Sequence, residues 1–110
     1  MEERQIPIKE NEFEICENVV VKIKPIKMKY IVDGFYGYYV ILKKFGLMKL
    51  LSYVDGKDVL NNFLVAVFDD NQKIIIKLLE ELTELKMKVL VIMVKNINEL
   101  EDEEDDLKNV

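Results

Sequence analysis

The apolar residues of this 110-residue chain change their period at Pro25, and the change limits the fold more than any motif does. Before it, Phe13 and Ile15 alternate with Glu12 and Glu14, and Val19, Val21 and Ile23 alternate with Val20, Lys22 and Lys24. Alternation of period two places one set of side chains on each face of a strand, so the segment predicts a half-buried sheet. The two runs meet at Glu17 and Asn18, and Asn tolerates positive φ, so a tight hairpin is expected there. Ile6 and Ile8 flank Pro7, which restricts any strand at that point to an edge.

After Pro25 the spacing becomes three and four. Met28, Ile31, Val32, Phe35, Tyr39 and Leu42 predict an amphipathic helix interrupted near Gly34 and Gly37, short at first and then running to about Tyr53. Asp55 and Gly56 end it, with Gly56 as a left-handed cap and Asp58 capping the next start. Val59, Leu60, Phe63, Leu64, Val67 and Phe68 mark a third helix, which Asp69, Asp70 and Asn71 break by turn chemistry. Ile74, Ile75, Leu78, Leu79 and Leu82 mark a fourth, and Thr83 is the expected N-cap of a fifth. From Leu85 to Ile97 apolar residues cover most of the helical circumference, so that helix is central to the bundle or has a partner. A buried strand over Val89 to Val94 is the competing reading, which length disfavours. The expected fold class is therefore α+β, mostly α: an N-terminal β-hairpin, a compact bundle of four to five helices, and an acidic C-terminal tail. Residues 1–98 form one domain, β-rich over 5–25 and helical over 27–98, and residues 99–110 form the tail.

Charge is divided unevenly. Seven of the eight residues from Glu99 to Asp106 are acidic; without the stretch from Glu99 on, which also holds Lys108, fourteen acids face fifteen bases. The body is near neutral, at about +1, and the tail carries the acidity that brings the whole chain to −5. Within the body, Lys22, Lys24, Lys27, Lys29, Lys43, Lys44 and Lys49 meet a single acid, Asp33, between positions 22 and 49.

Few reactive groups are available. With no histidine and one cysteine, Cys16, the chain lacks the material for a His/Cys zinc site, a histidine-assisted nucleophile or an internal disulfide. Glu80, Glu81 and Glu84 fall on the polar side of the fourth helix and its exit, where nothing tunes a carboxylate for acid–base work. The acid run lacks the spaced ligands and glycine turn of a calcium loop and reads as a solvated tail. Gly56-Lys57 has neither the glycine-rich approach nor the following Ser/Thr of a phosphate loop. Neither a catalytic residue nor a cofactor or metal site is expected. The charged N-terminus and the lack of a long apolar run predict a cytoplasmic protein without a membrane span.

The strongest local anomaly is aromatic. Six of the ten Phe and Tyr residues lie between positions 30 and 45, interleaved with lysines. On one helix Phe35, Tyr36, Tyr38 and Tyr39 point across more than half of the circumference, so they cannot all face one core. A core role is expected for Phe35 and Tyr39, and a protein partner for the remainder; Tyr36, Tyr38, Tyr39, Phe45 and Met48 are the candidate partner-binding residues. Stacking of bases on the tyrosines, with lysines on phosphates over residues 22–49, is the nucleic-acid alternative. Only one arginine, Arg4, is present, and no RNP or helix-turn-helix signature supports that alternative.

Four segments in order carry a resemblance: Val-Lys-Ile-Lys-Pro-Ile-Lys-Met-Lys-Tyr at 21–30, Gly-Phe-Tyr-Gly-Tyr-Tyr at 34–39, Leu-Leu-Ser-Tyr-Val-Asp-Gly-Lys-Asp-Val-Leu-Asn-Asn-Phe-Leu-Val-Ala-Val-Phe-Asp-Asp at 50–70, and Val-Lys-Asn-Ile-Asn-Glu-Leu at 94–100. Over residues 19–100 the chain resembles the tail assembly chaperones of long-tailed bacteriophages, or phage-like particles, of low-GC Gram-positive bacteria. The resemblance implies a small, mostly helical, non-enzymatic protein of the host cytoplasm, without a cofactor. It further implies binding to the tape-measure protein, recruitment of tail-tube subunits, a frameshifted longer form, and absence from the finished virion. Met28, Met48, Met87 and Met93, with the tyrosines, would supply adaptable contact surface, and the tail would keep the domain soluble. A structural component of the tail is the alternative within the same setting, and self-association is left open.

Overall fold

In the computed structural model, which describes residues 11–100, the alternating segment forms a two-stranded antiparallel hairpin, β1 (Glu12–Cys16) and β2 (Val19–Lys22). Phe13 pairs with Val21 and Glu14 with Val20, and an irregularity at Ile15 lets Cys16 pair with Val19. Asn18 takes the positive φ of 67° that the tight turn demands. The Ile23 amide reaches back to the Asn11 carbonyl at 2.7 Å and extends the pairing beyond β2. One face of the hairpin carries Phe13, Ile15 and Ile23 into the core, as the period-two pattern requires.

Five helices follow: α1 (Met28–Val32), α2 (Phe35–Leu50), α3 (Gly56–Val67), α4 (Gln72–Glu81) and α5 (Glu84–Asn98). The architecture is α+β, mostly helical. The core draws Phe35, Tyr39 and Leu42 from α2, Leu60, Phe63 and Leu64 from α3, Ile75 and Leu78 from α4, and Met87, Leu90 and Val94 from α5. Phe35 and Phe63 stack with ring centroids 5.5 Å apart and join α2 to α3. The stretch Val89 to Val94 is helical, so the strand reading is set aside.

Local chemistry explains most of the boundaries. Asn71 and Thr83 act as N-caps, accepting from the amides of Ile74 and Lys86 at 3.3 and 3.2 Å. Asp69 and Asp70 hold φ of 52° and 59°, a left-handed pair that turns the chain between α3 and α4. Gly34, at φ 106°, separates α1 from α2.

Three expectations are corrected. The expected interruption at Gly37 does not occur, because that residue sits inside continuous helix; the break is at Gly46, with φ 80° and ψ 168°. Gly56 is not a left-handed cap but the first residue of α3. A Cβ there would lie 1.9 Å from the Leu50 carbonyl oxygen, so the residue is required by close approach of two chain segments. Asp58 lies in the first turn of α3 rather than at its cap, where a carboxylate still favours the positive end of the helix dipole. Ile6 and Ile8, where any strand was expected to be at an edge, and the acidic run from Glu101 lie outside the described residues.

Candidate functional site: a groove between α2 and α5

The start of α5 lies beside the end of α2, and the join is made by one carboxylate. Gly46, at φ 80° and ψ 168°, interrupts the helical course, and the helix restarts after it. Glu84 accepts from the Leu47 amide at 3.1 Å and from the Met48 amide at 2.8 Å, capping the restarted helix from another element. Glu84 therefore does not belong to a plain solvated face, as its sequence position suggested. Lys86 is drawn inward as well, its ammonium donating to the carbonyls of Ile15 at 2.5 Å and Glu81 at 3.4 Å. That contact ties α5 to the hairpin.

Along this junction runs a groove of 240 Å³. Its floor is apolar: Leu42 and Leu47 from α2, and Met87 and Val91 from α5. Lys43, Lys88 and Ile92 form its exposed sides. Beside it α5 presents a second apolar stripe. Leu85, Val89 and Ile92 are 71%, 43% and 57% exposed and follow one another at four and three residues, so they share one helical face. Met87, Leu90, Val91 and Val94 of this helix face the core, and a separate stripe faces outward.

The five residues singled out for partner binding do not form one surface. Tyr39, placed among the partner-binding candidates, is 1% exposed and lies in the core, because it shares the inward face of α2 with Phe35 and Leu42. Its hydroxyl is buried without a hydrogen-bond partner among the described residues. Burial raises the Tyr39 pKa from its ordinary value, with nearby Tyr36 adding to the shift. Tyr36 is exposed and tilts against the Tyr39 ring at 5.8 Å. Tyr38 and Phe45 are seven residues apart and share a side of α2 that lies roughly 180° from Tyr36. Tyr38 borders a depression with Tyr30, Asp33 and Asn62, and Phe45 meets Tyr53 edge to face at 5.8 Å. Met48, 74% exposed, stands at the Glu84-capped turn, next to the groove.

The lysines are likewise dispersed. Lys22, Lys24 and Lys27 border a depression of 540 Å³ with Phe68, Asp69 and Ile74, whereas Lys43 borders the α2–α5 groove. Lys29 and Lys49 lie over the rings of Tyr30 and Phe45 at 5.1 and 5.8 Å. Asp69 accepts from the Lys27 ammonium at 2.6 Å and the Tyr30 hydroxyl at 2.8 Å, which fastens α1 to the α3–α4 turn. The Lys27 hydrogen bond, then that of Tyr30, lowers the Asp69 pKa, and the bond to Asp69 raises that of Tyr30.

Sequence reasoning missed Leu85, Val89 and Ile92 as a surface, although the excess of apolar positions around α5 was the signal for it. Among the described residues no group of three or more His, Cys, Asp or Glu side chains is placed to hold a metal ion. No helix among them is long and apolar enough to cross a membrane. No protein-family model, curated protein or solved structure matches the chain.

Proposed function

We propose that this protein is a non-enzymatic, protein-binding chaperone of bacteriophage tail assembly that works in the host cytoplasm and holds the tape-measure protein during tail morphogenesis. One observation carries the protein-binding part: Leu85, Val89 and Ile92 form an outward apolar face on a helix whose opposite face already fills the core. Exposed apolar side chains aligned at helical spacing are the geometry by which one helix receives another. Full burial of a side chain of this kind contributes about 1.5–3 kcal/mol, so covering the exposed parts of these three contributes favourably to binding and offsets part of the cost of association. The assignment to tail assembly, including delivery of tail-tube subunits, rests on the resemblance over residues 19–100. A tape-measure protein is long and helical, with an apolar face, so it suits a surface of this form.

Co-expression with fragments of the long helical protein encoded just downstream, followed by size-exclusion chromatography with mass determination, tests the proposal. A soluble complex that withstands moderate salt is the expected result. Fragments that aggregate while the chaperone elutes unchanged would overturn it. Stoichiometric recovery of the protein in purified particles would favour a structural role in the tail.

A further inference from the structure

We infer that acidic residues 101–106 fold back onto this chain's own lysine-bordered depression, beside the linker between β2 and α1. The inference stands apart from the tail-assembly reading and does not depend on it. Its first support is the place where the described chain ends. Glu99 takes a φ of 54°, its amide donates to the Asn96 carbonyl at 3.3 Å, and the Leu100 amide donates to the Lys95 carbonyl at 2.9 Å. These two bonds around a left-handed residue are the Schellman arrangement, which ends α5 with its last carbonyls satisfied. Leu100 is half-buried against the core, so the exit of the chain is anchored. The Asn98 side chain accepts from the Ile26 amide at 2.8 Å and donates to the Val94 carbonyl at 2.9 Å. The end of α5 is therefore held against the linker, with Lys24 and Lys27 two residues and one residue away from the contact.

Charge is the second support. Residues 22–29 carry Lys22, Lys24, Lys27 and Lys29 and no acid, whereas residues 101–106 are six acids in succession. Lys22, Lys24 and Lys27 are exposed at the border of the depression, and buried Val67 and Phe68 lie beneath. Lys22 pairs in register with Glu12 and Lys27 is shared with Asp69, but Lys24 has no hydrogen bond or ion pair among the described residues. The acids of the α3–α4 turn are engaged, Asp69 by Lys27 and Tyr30 and Asp70 by the Gln72 amide, so the lysine side is the open approach. Reach is ample, because six extended residues cover about 20 Å and the Lys24 Cα lies within about 8 Å of that of Ile26. Tethering supplies an effective concentration of about a millimolar, so ion pairs that are individually weak at a surface suffice. Residues 1–10 also leave beside the linker, since the Asn11 carbonyl accepts from Ile23, but there Glu2, Glu3 and Glu10 are offset by Arg4 and Lys9. Charge thus favours residues 101–106, which when seated withhold Lys22 and Lys24 from other anions.

The test places a nitroxide on the full chain through Leu107→Cys in a Cys16→Ser background, which leaves all six acids intact, and reads paramagnetic broadening of backbone amides by NMR. At low salt the amides of Lys24, Lys27, Phe68 and Ile74 are expected to broaden at least about twofold more than those of Lys44 and Lys88, an excess that fades as salt approaches about 1 M. Lys22→Glu with Lys24→Glu should abolish the excess. A second measurement needs no label: changing residues 101–106 from Glu to Gln and from Asp to Asn should shift the same amides and leave those of α2 in place. Even broadening, broadening centred elsewhere, or broadening indifferent to salt and to the lysine changes would overturn the inference. Amides that shift with Glu2→Gln, Glu3→Gln and Glu10→Gln, and not with the neutralised tail, would overturn it in favour of residues 1–10. Equal broadening passed from a labelled chain to an unlabelled one in a mixed sample would also overturn it, by making the tail of a second copy the occupant.

Discussion

Glu84 stands directly over Gly46: a Cβ on the glycine would lie 2.7 Å from the glutamate Oε2, while the same carboxylate caps the amides of Leu47 and Met48. The break in α2 and the start of α5 are thus one structural unit. Gly46→Ala meets both a backbone region almost reserved for glycine and the displaced carboxylate, and should cost about 2 kcal/mol. Glu84→Ala should cost about 1–2 kcal/mol through the two uncapped amides. Urea unfolding of the single and double variants checks this. The double should lose less than the sum, because either change already disturbs the shared cap.

At Gly56 the constraint is steric alone. A methyl group placed 1.9 Å from the Leu50 carbonyl oxygen cannot be accommodated by a rotamer change, since the obstacle is backbone. Gly56→Ala should destabilise by about 3 kcal/mol, measured by thermal or urea unfolding, against the small gain alanine gives in an unobstructed helix.

Tyr39 separates ring from hydroxyl. The ring is core, and the hydroxyl is buried without a partner among the described residues. Tyr39→Phe should therefore leave stability unchanged or raise it by about 1 kcal/mol, while Tyr39→Ala should lose about 3–5 kcal/mol. Equilibrium unfolding of both variants decides between this account and one in which the hydroxyl is stabilising.

The clasp at Asp69 gives a pH signature. The folded pKa of Asp69 is depressed, first by the hydrogen bond from Lys27, so its contribution is present above the ordinary carboxylate range and is lost as pH falls through the folded value. Tyr30 has the opposite sign: its folded pKa is raised by donation to Asp69, so its contribution is present below the ordinary tyrosine range and is lost as pH rises through the folded value. Between those limits both contribute. Urea midpoints of the wild type and Asp69→Asn, measured from acid to alkaline pH, should differ most near neutrality and converge at the acid extreme.

How far the sequence could be read depended on whether the governing contact was local. Asn18, Asn71 and Thr83 act on amides or turns within a few residues, and all three boundaries were readable. The hairpin face and the helical stripes were readable because periodicity alone sets them. The break at Gly46 was not, because Gly37 and Gly46 are equivalent by composition and the carboxylate that caps the restarted helix, Glu84, comes from another helix. Tyr36 and Tyr38 looked like one cluster in the chain but diverge around the helix axis, and only the packing decides which side has neighbours. For α5 the excess of apolar residues announced two faces without saying which one the core would take.

If the protein works as proposed, partner capture belongs to the outward face of α5 and not to the aromatic side of α2. Co-expression of the tape-measure fragments with the wild type, Ile92→Glu and Phe45→Ala, each followed by size-exclusion chromatography with mass determination, decides between the two faces. A co-eluting complex is expected for the wild type and Phe45→Ala, and none for a folded Ile92→Glu. A complex that survives Ile92→Glu and is lost with Phe45→Ala would place capture on α2 instead and contradict the proposal.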